Sequence, residues 1–291
     1  MTLRQTDLCP LGWGNPRKCS RHLFNFKNAS QYTLTKSVAR KDSNTPLRPA
    51  TASPHRLRNH VALVTGATRG IGLAIARALA AERCNLILTG RDEAALRRVS
   101  RELASTKIKI LAHPCDVRNP QSVDDLFRAI RREFKRLDSL INNAGIAHSN
   151  LTVDKLPLPL WQDVIDTNLT GTFLVTQAAL AMMRRGGTIV NNLSIAATRV
   201  FPGSAAYAAS KHGTLGFTNT LREELRPKGI RVISLLPGAT NTAIWNTFWP
   251  QAPRKKMMSP AIIAAAVVNA ILLPTNATVE TLEILPTVGL L

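Results

Sequence analysis

Val61-Ala62-Leu63-Val64-Thr65-Gly66-Ala67-Thr68-Arg69-Gly70-Ile71-Gly72 is the stretch on which the reading of the 291-residue chain turns. Four apolar residues and a threonine run without alternation, as in a strand buried on both faces of a parallel sheet. A helical pattern follows over 71–82, so the glycines at 66, 70 and 72 fall where a strand must turn sharply into a helix. Such a turn aims the free N–H groups of the helix N-terminus at whatever rests on it, and glycine lets a phosphate approach the backbone. The stretch reads as a pyrophosphate cradle, the plain alternative being a glycine-rich turn with no ligand.

Outward from it, short apolar runs alternate with amphipathic stretches, the mark of βαβ units. Strands are expected at 61–65, 85–89, 107–112, 139–142, 188–193, 231–236 and 279–285, and helices at 71–82, 92–104, 120–134, 160–184, 207–226 and 260–273. Seven strands and six helices make one α/β domain, residues 59–291. Its expected form is a doubly wound, Rossmann-type, mostly parallel seven-stranded sheet with helices on both faces and the ligand crevice outside the strands' C-terminal ends. Residues 1–58 have no sustained period and read as a basic, disordered extension: residues 1–60 hold eleven Lys and Arg against Asp7 and Asp42. The extension is either an organelle transit peptide or dispensable, and deleting 1–57 is expected to leave a soluble, active domain.

Composition excludes several classes. The apolar run 262–273 is about twelve residues and contains Asn269, short of the ~20 a bilayer needs, so no membrane span is expected. Cys9, Cys19, Cys84 and Cys115 match no zinc spacing, and the histidines stand apart from them, so no metal is expected and a reducing compartment fits. The formal charge of +20 invites a nucleic-acid reading, but nine of those charges lie in the extension and no aromatic-interleaved basic stripe appears. No nucleic acid is therefore expected as a partner.

The second strand ends Leu88-Thr89-Gly90-Arg91, with no acid at its tip to accept from adenosine ribose hydroxyls. Arg91 and Arg69 are instead placed to hold a 2′-phosphate, so the cofactor should be NADP(H); the alternative for Arg91 is a solvated helix-start residue. Asp92 is a candidate N-cap. Asp116, beside Val117 at the end of the third strand, offers an acceptor for an adenine amino group. Asn142-Asn143-Ala144-Gly145 suits close passage of a ligand. Tyr207 and Lys211, four apart at the head of a helix, share one face. An ammonium beside a phenol lowers its pKa and makes it a usable proton donor at neutral pH. Such pairs are common on surfaces, and Ser194, thirteen residues earlier at a strand end, is what singles this one out.

Together these motifs resemble the short-chain dehydrogenase/reductase family, in its form with the Thr-Gly-x-x-x-Gly-x-Gly turn and Tyr-x-x-x-Lys pair, from Val61 to the C-terminus. The resemblance implies a catalytic tetrad of Asn168, Ser194, Tyr207 and Lys211. It also implies cofactor contacts at Gly66, Arg69, Gly70, Ile71, Gly72, Asp116, Val117 and Asn143, and at Thr240 and Thr242 in the loop after Pro237-Gly238. Hydride would pass between nicotinamide and a ketone or aldehyde carbonyl, or the corresponding alcohol. Tyr207 would protonate the oxygen, Ser194 polarise it, Lys211 hold the nicotinamide ribose and Asn168 hold a relay water. Ile195-Ala196-Ala197 lacks a glycine often found there and the C-terminus lacks the Gly-Gly of ketoacyl-carrier reductases, which counts against a 3-oxoacyl substrate. A sensor on the same fold is the non-enzymatic alternative. Expected substrate walls are His148, Leu151, Val200, Phe201, Ile244, Trp245, Phe248 and Trp249. Apolar residues around more than one face of 160–184 imply a homo-oligomer, and the resemblance implies a homodimer or homotetramer. The location expected is cytoplasmic, or an organelle matrix if 1–58 is a transit peptide.

Overall fold

The computed structural model describes residues 56–291, so most of the expected extension lies outside the described residues. Leu57 is within them: its N–H donates to the Glu82 carbonyl at 3.2 Å and its side chain joins the core, so the fold takes in residues ahead of the expected start at 59.

The sheet has seven parallel strands in the order β3-β2-β1-β4-β5-β6-β7. These are β1 (Val61–Thr65), β2 (Asn85–Gly90), β3 (Ile110–Pro114), β4 (Leu137–Asn142), β5 (Met183–Asn192), β6 (Arg231–Pro237) and β7 (Thr281–Ile284). The helices are α1 (Gly70–Ala81), α2 (Glu93–Leu103), α3 (Pro120–Glu133), α4 (Leu158–Ile165), α5 (Gly171–Leu180), α6 (Ala205–Leu225), α7 (Trp245–Phe248) and α8 (Pro260–Ile271). Every β1 residue is buried because successive side chains enter two different cores. Ala62 and Val64 pack with Ile75 and Leu79 of α1 and Val267 of α8, while Val61 and Leu63 pack with Phe127 of α3, Val175 of α5 and Leu221 of α6. β1 and β4 lie side by side although β2 and β3 intervene in sequence, so the chain reverses its direction of growth there. At that switch point the strand ends part and leave a crevice.

Two expected elements are corrected and one is added. The single helix over 160–184 is two helices joined by a π-helical turn at Asp166–Thr170, and it stops at Leu180. Its last expected turn is strand, because the Leu137 N–H takes the Met182 carbonyl at 3.0 Å and Met183 pairs Leu137. The third strand begins at Ile110, not at 107: Lys107 is left-handed (φ 55°) and closes the preceding turn. The stretch of expected substrate walls at 244–249 contains a short helix, α7, that the sequence pattern does not predict.

Candidate active site

The turn after β1 is built as a cradle. Thr65 Oγ1 accepts the N–H groups of Asn143 and Ala144 at 2.9 Å each, stitching the tips of β1 and β4 together across the switch point. Asn143 Nδ2 donates back to the carbonyls of Thr65 and Gly66 at 2.9 and 3.1 Å. Gly66 has φ 62°, in the region that favours glycine, and a Cβ on Gly72 would lie 2.3 Å from Asn143 Nδ2. Gly72 therefore packs α1 against the turn, while Gly66, Arg69, Gly70 and Ile71 line the crevice. α1 starts without a side-chain cap or a first-turn acid, which leaves its N-terminal dipole for a ligand.

From this turn a cavity of about 930 Å³ runs in both directions along the strand tips. At one end lie Thr68, Gly90, Arg91, Asp116 and Val117, and Asp92 caps α2 through the Ala95 N–H at 2.9 Å. No carboxylate stands on the tip of β2, and the exposed Arg69 and Arg91 flank it. Asp116 lines the cavity as an acceptor already partly engaged. Arg118 grips its carboxylate with Nε at 3.0 and 3.1 Å and Nη2 at 2.6 Å, which holds the Asp116 pKa below its ordinary value. Arg118 also ion-pairs Asp163 of α4, tying the β3 loop to that helix.

At the other end stand Ser194, Tyr207 and Lys211. Ser194 follows β5, and its hydroxyl accepts the Ala196 N–H at 3.1 Å and hydrogen-bonds the Tyr207 phenol. Tyr207 and Lys211 sit one turn apart near the start of α6, with Lys211 Nζ 5.5 Å from the Tyr207 ring centroid. Nζ donates to the Asn192 carbonyl at 2.9 Å, and Asn192 Nδ2 donates to Asn143 Oδ1 at 2.8 Å. A hydrogen-bonded chain thus leads from the glycine turn through Asn143 and Asn192 to Lys211. The electrostatics depart from expectation: burial pushes the Tyr207 phenol up, partly offset by the Ser194 hydrogen bond, and burial also pulls Lys211 down to about 8. Lys211 remains mostly charged at pH 7, but no lowering of the phenol by it is seen.

Asn168 lies in the π-helical turn, buried beneath this end and outside the cavity lining. Its carboxamide bonds both backbone groups of Ile146 at 2.9 Å and Ser210 Oγ at 3.0 Å, and its carbonyl accepts from Thr172 and Thr214. It joins the loop after β4 to α6. Thr240 and Thr242 line the cavity, and the Thr240 carbonyl takes Trp245 Nε1 at 2.8 Å. Trp245, Phe248 and Trp249 form a run of ring contacts, and Phe248 meets Tyr207 at 6.2 Å between centroids. Phe201 and Ile244 are walls as expected, whereas His148, Leu151 and Val200 are not. His148 is fully buried, Leu151 bridges Ser204, and Val200 is 89% exposed. Leu285, Gly289, Leu290 and Leu291 complete the wall. Among the described residues no cluster of metal-ligating side chains occurs, and no helix is long and apolar enough to cross a membrane.

The family model for short chain dehydrogenase matches residues 60–253, which hold every candidate catalytic and cofactor-binding residue above. The chain belongs to the short-chain dehydrogenase family. It is an oxidoreductase of that family with a nucleotide-binding Rossmann fold. An uncharacterized oxidoreductase of Staphylococcus aureus (strain N315) is 36% identical over 232 residues, covering 79% of this chain and 98% of the relative. A 3-oxoacyl-[acyl-carrier-protein] reductase of Synechocystis is 40% identical over 185 residues, covering 62% and 74%. Among solved structures, an alcohol dehydrogenase of the archaeon Thermococcus sibiricus complexed with 5-hydroxy-NADP superimposes with TM-score 0.74 at 30% identity, covering 79% of this chain and 97% of that one. An actinorhodin polyketide ketoreductase with NADPH gives TM-score 0.70 at 33% identity, covering 79% and 97%.

Proposed function

We propose that this short-chain dehydrogenase is an NADP(H)-dependent reductase of an apolar ketone or aldehyde. The observation that carries the reading is that one cavity holds a phosphate cradle flanked by Arg69 and Arg91 at one end and the Ser194–Tyr207–Lys211 group at the other. The residues fit a phosphorylated dinucleotide. The glycine turn has no room for a Cβ at Gly72, and the α1 N-terminus opens on the cavity. Two guanidinium groups, with no carboxylate at Gly90, favour a 2′-phosphate. Gly66, Gly70, Ile71, Asp116, Val117, Asn143, Thr240, Thr242 and Lys211 would hold the rest. When bound, the cofactor supplies or accepts the hydride. Ser194 orients the substrate oxygen and Tyr207 delivers a proton to it. Lys211, carried on the Asn192 carbonyl, would hold the nicotinamide ribose, and Asn168 fixes the π-helical turn against the loop after β4 and α6. Phe201, Trp245, Phe248 and Leu290 make the substrate end apolar.

The Synechocystis relative favours a second reading, a 3-oxoacyl thioester substrate. A screen of NADPH oxidation against ketones, aldehydes and a 3-oxoacyl thioester tests both. Turnover of apolar ketones above the thioester supports the first reading, the reverse order supports the second, and no turnover with any carbonyl removes both. Assembly follows from α5 and α6, where Phe173, 43% exposed, makes an edge contact with Phe217 at 6.2 Å. This apolar patch would be covered in a homodimer or homotetramer.

A further inference from the structure

Among the described residues eight large apolar side chains are conspicuously exposed, and six of them, Val153, Leu158, Val200, Trp249, Val288 and Leu290, belong to four segments that also supply lining of the cavity. Trp249 and Leu290 are both cavity lining and 41% and 49% exposed, which puts them where the cavity meets solvent. Val200 and Val288, 89% and 61% exposed, each adjoin a lining residue, Phe201 and Gly289. The segment of Val153 and Leu158 is held beside them by the Leu151–Ser204 bridge. Scattered exposed apolar residues are normal, but a concentration of them on the segments that line a catalytic cavity is a surface asking for a cover.

The charges on the same segments are mainly positive: Lys155, Arg199, Arg254, Lys255 and Lys256 stand against Asp154 and Glu283. Glu283 is already paired with Arg199 at 2.5 Å, and residues 225–279 contain no acid at all. Apolar side chains including a tryptophan, bordered by exposed lysines, are the combination that settles into the headgroup layer of an anionic bilayer. A rigid protein partner, or a second copy of this chain, seated on these segments would cover the cavity, whereas fluid lipid would leave it accessible.

We propose that the rim of the cavity adsorbs to anionic membrane surfaces and that the carbonyl substrate enters from the lipid. Only the second half rests on the carbonyl-reductase reading. Full-length protein is sedimented with vesicles of phosphatidylcholine containing phosphatidylglycerol, and with phosphatidylcholine alone. The wild type should partition to the anionic vesicles, and the double variant Val200→Glu/Val288→Glu should lose that partitioning by on the order of tenfold. Neither valine lines the cavity, so melting temperature and turnover of a water-soluble ketone should stay at the wild-type level. Failure of the wild type to bind, or equal binding by the double variant, overturns the proposal; the latter would assign adsorption to the basic N-terminal residues instead. Absent ketone turnover in both proteins would count against the reductase reading while leaving the vesicle result to stand.

Discussion

Replacing Lys211 with methionine should make the protein inactive and, at neutral pH, more stable. The ammonium is buried with a single backbone carbonyl as its hydrogen-bond partner, and burial lowers its pKa from 10.5 to about 8. At 1.36 kcal/mol per pKa unit, keeping the charged lysine in the fold costs about 3 kcal/mol below pH 8. Methionine keeps the stem and removes that cost, but leaves the Asn192 carbonyl unpaired, which offsets about 1–2 kcal/mol. The net expectation is a gain of about 1–2 kcal/mol at pH 7, read by urea unfolding of the cofactor-free protein. The sign with pH follows from a folded pKa below the unfolded one. The penalty is complete below about 8, fades as the pH rises toward 10.5 and vanishes above it, so the variant's advantage should shrink over that window and end as a deficit. Turnover should fall at least ~100-fold, while cofactor affinity falls less because the glycine turn and arginines persist. A variant less stable than wild type at pH 7, or one whose advantage ignores pH, would refute the reasoning.

Arg91→Ala should narrow the preference for NADPH over NADH by about 1–3 kcal/mol in low-salt binding titrations, the range for charge-assisted bonds; an unchanged ratio would remove Arg91 from the 2′-phosphate site. Gly72→Ala should push Asn143 off the glycine turn, costing about 1–3 kcal/mol in urea unfolding and weakening NADPH binding in the same protein. Light scattering at micromolar concentration should report a dimer or tetramer, and Phe173→Glu should shift it toward the monomer.

The order of elements was legible because a doubly wound sheet alternates two strong periodicities, and the glycine turn marks its first crossover. Boundaries failed where pairing or backbone conformation overrode pattern. Leu180, Met182 and Met183 look helical in a row, yet Leu137 captures the last of them into the sheet. The π-helical turn around Asn168 has no apolar signature, since its cause is the side-chain bonding of Asn168 to Ile146 and Ser210, distant in sequence. In the site, Tyr207, Lys211 and Ser194 were found by chemistry and spacing. Arg118 was missed although it lies two residues beyond Asp116, because nothing in the sequence says that it folds back rather than outward. Leu290 was missed because its place depends on where β7 delivers the chain. The sequence reading also took the proximity of Lys211 to imply a lowered phenol. Burial, which acts on both groups and opposes their charging, is visible only in the fold.

The central claim is that Tyr207 is the proton donor in a nicotinamide-dependent carbonyl reduction, and Tyr207→Phe tests it with the removal of one oxygen atom. Ring packing against Phe248 is retained, so the variant should bind NADPH as the wild type does, while carbonyl-dependent NADPH oxidation falls by at least ~100-fold. Turnover within a few fold of wild type in the Tyr207→Phe protein would contradict the account.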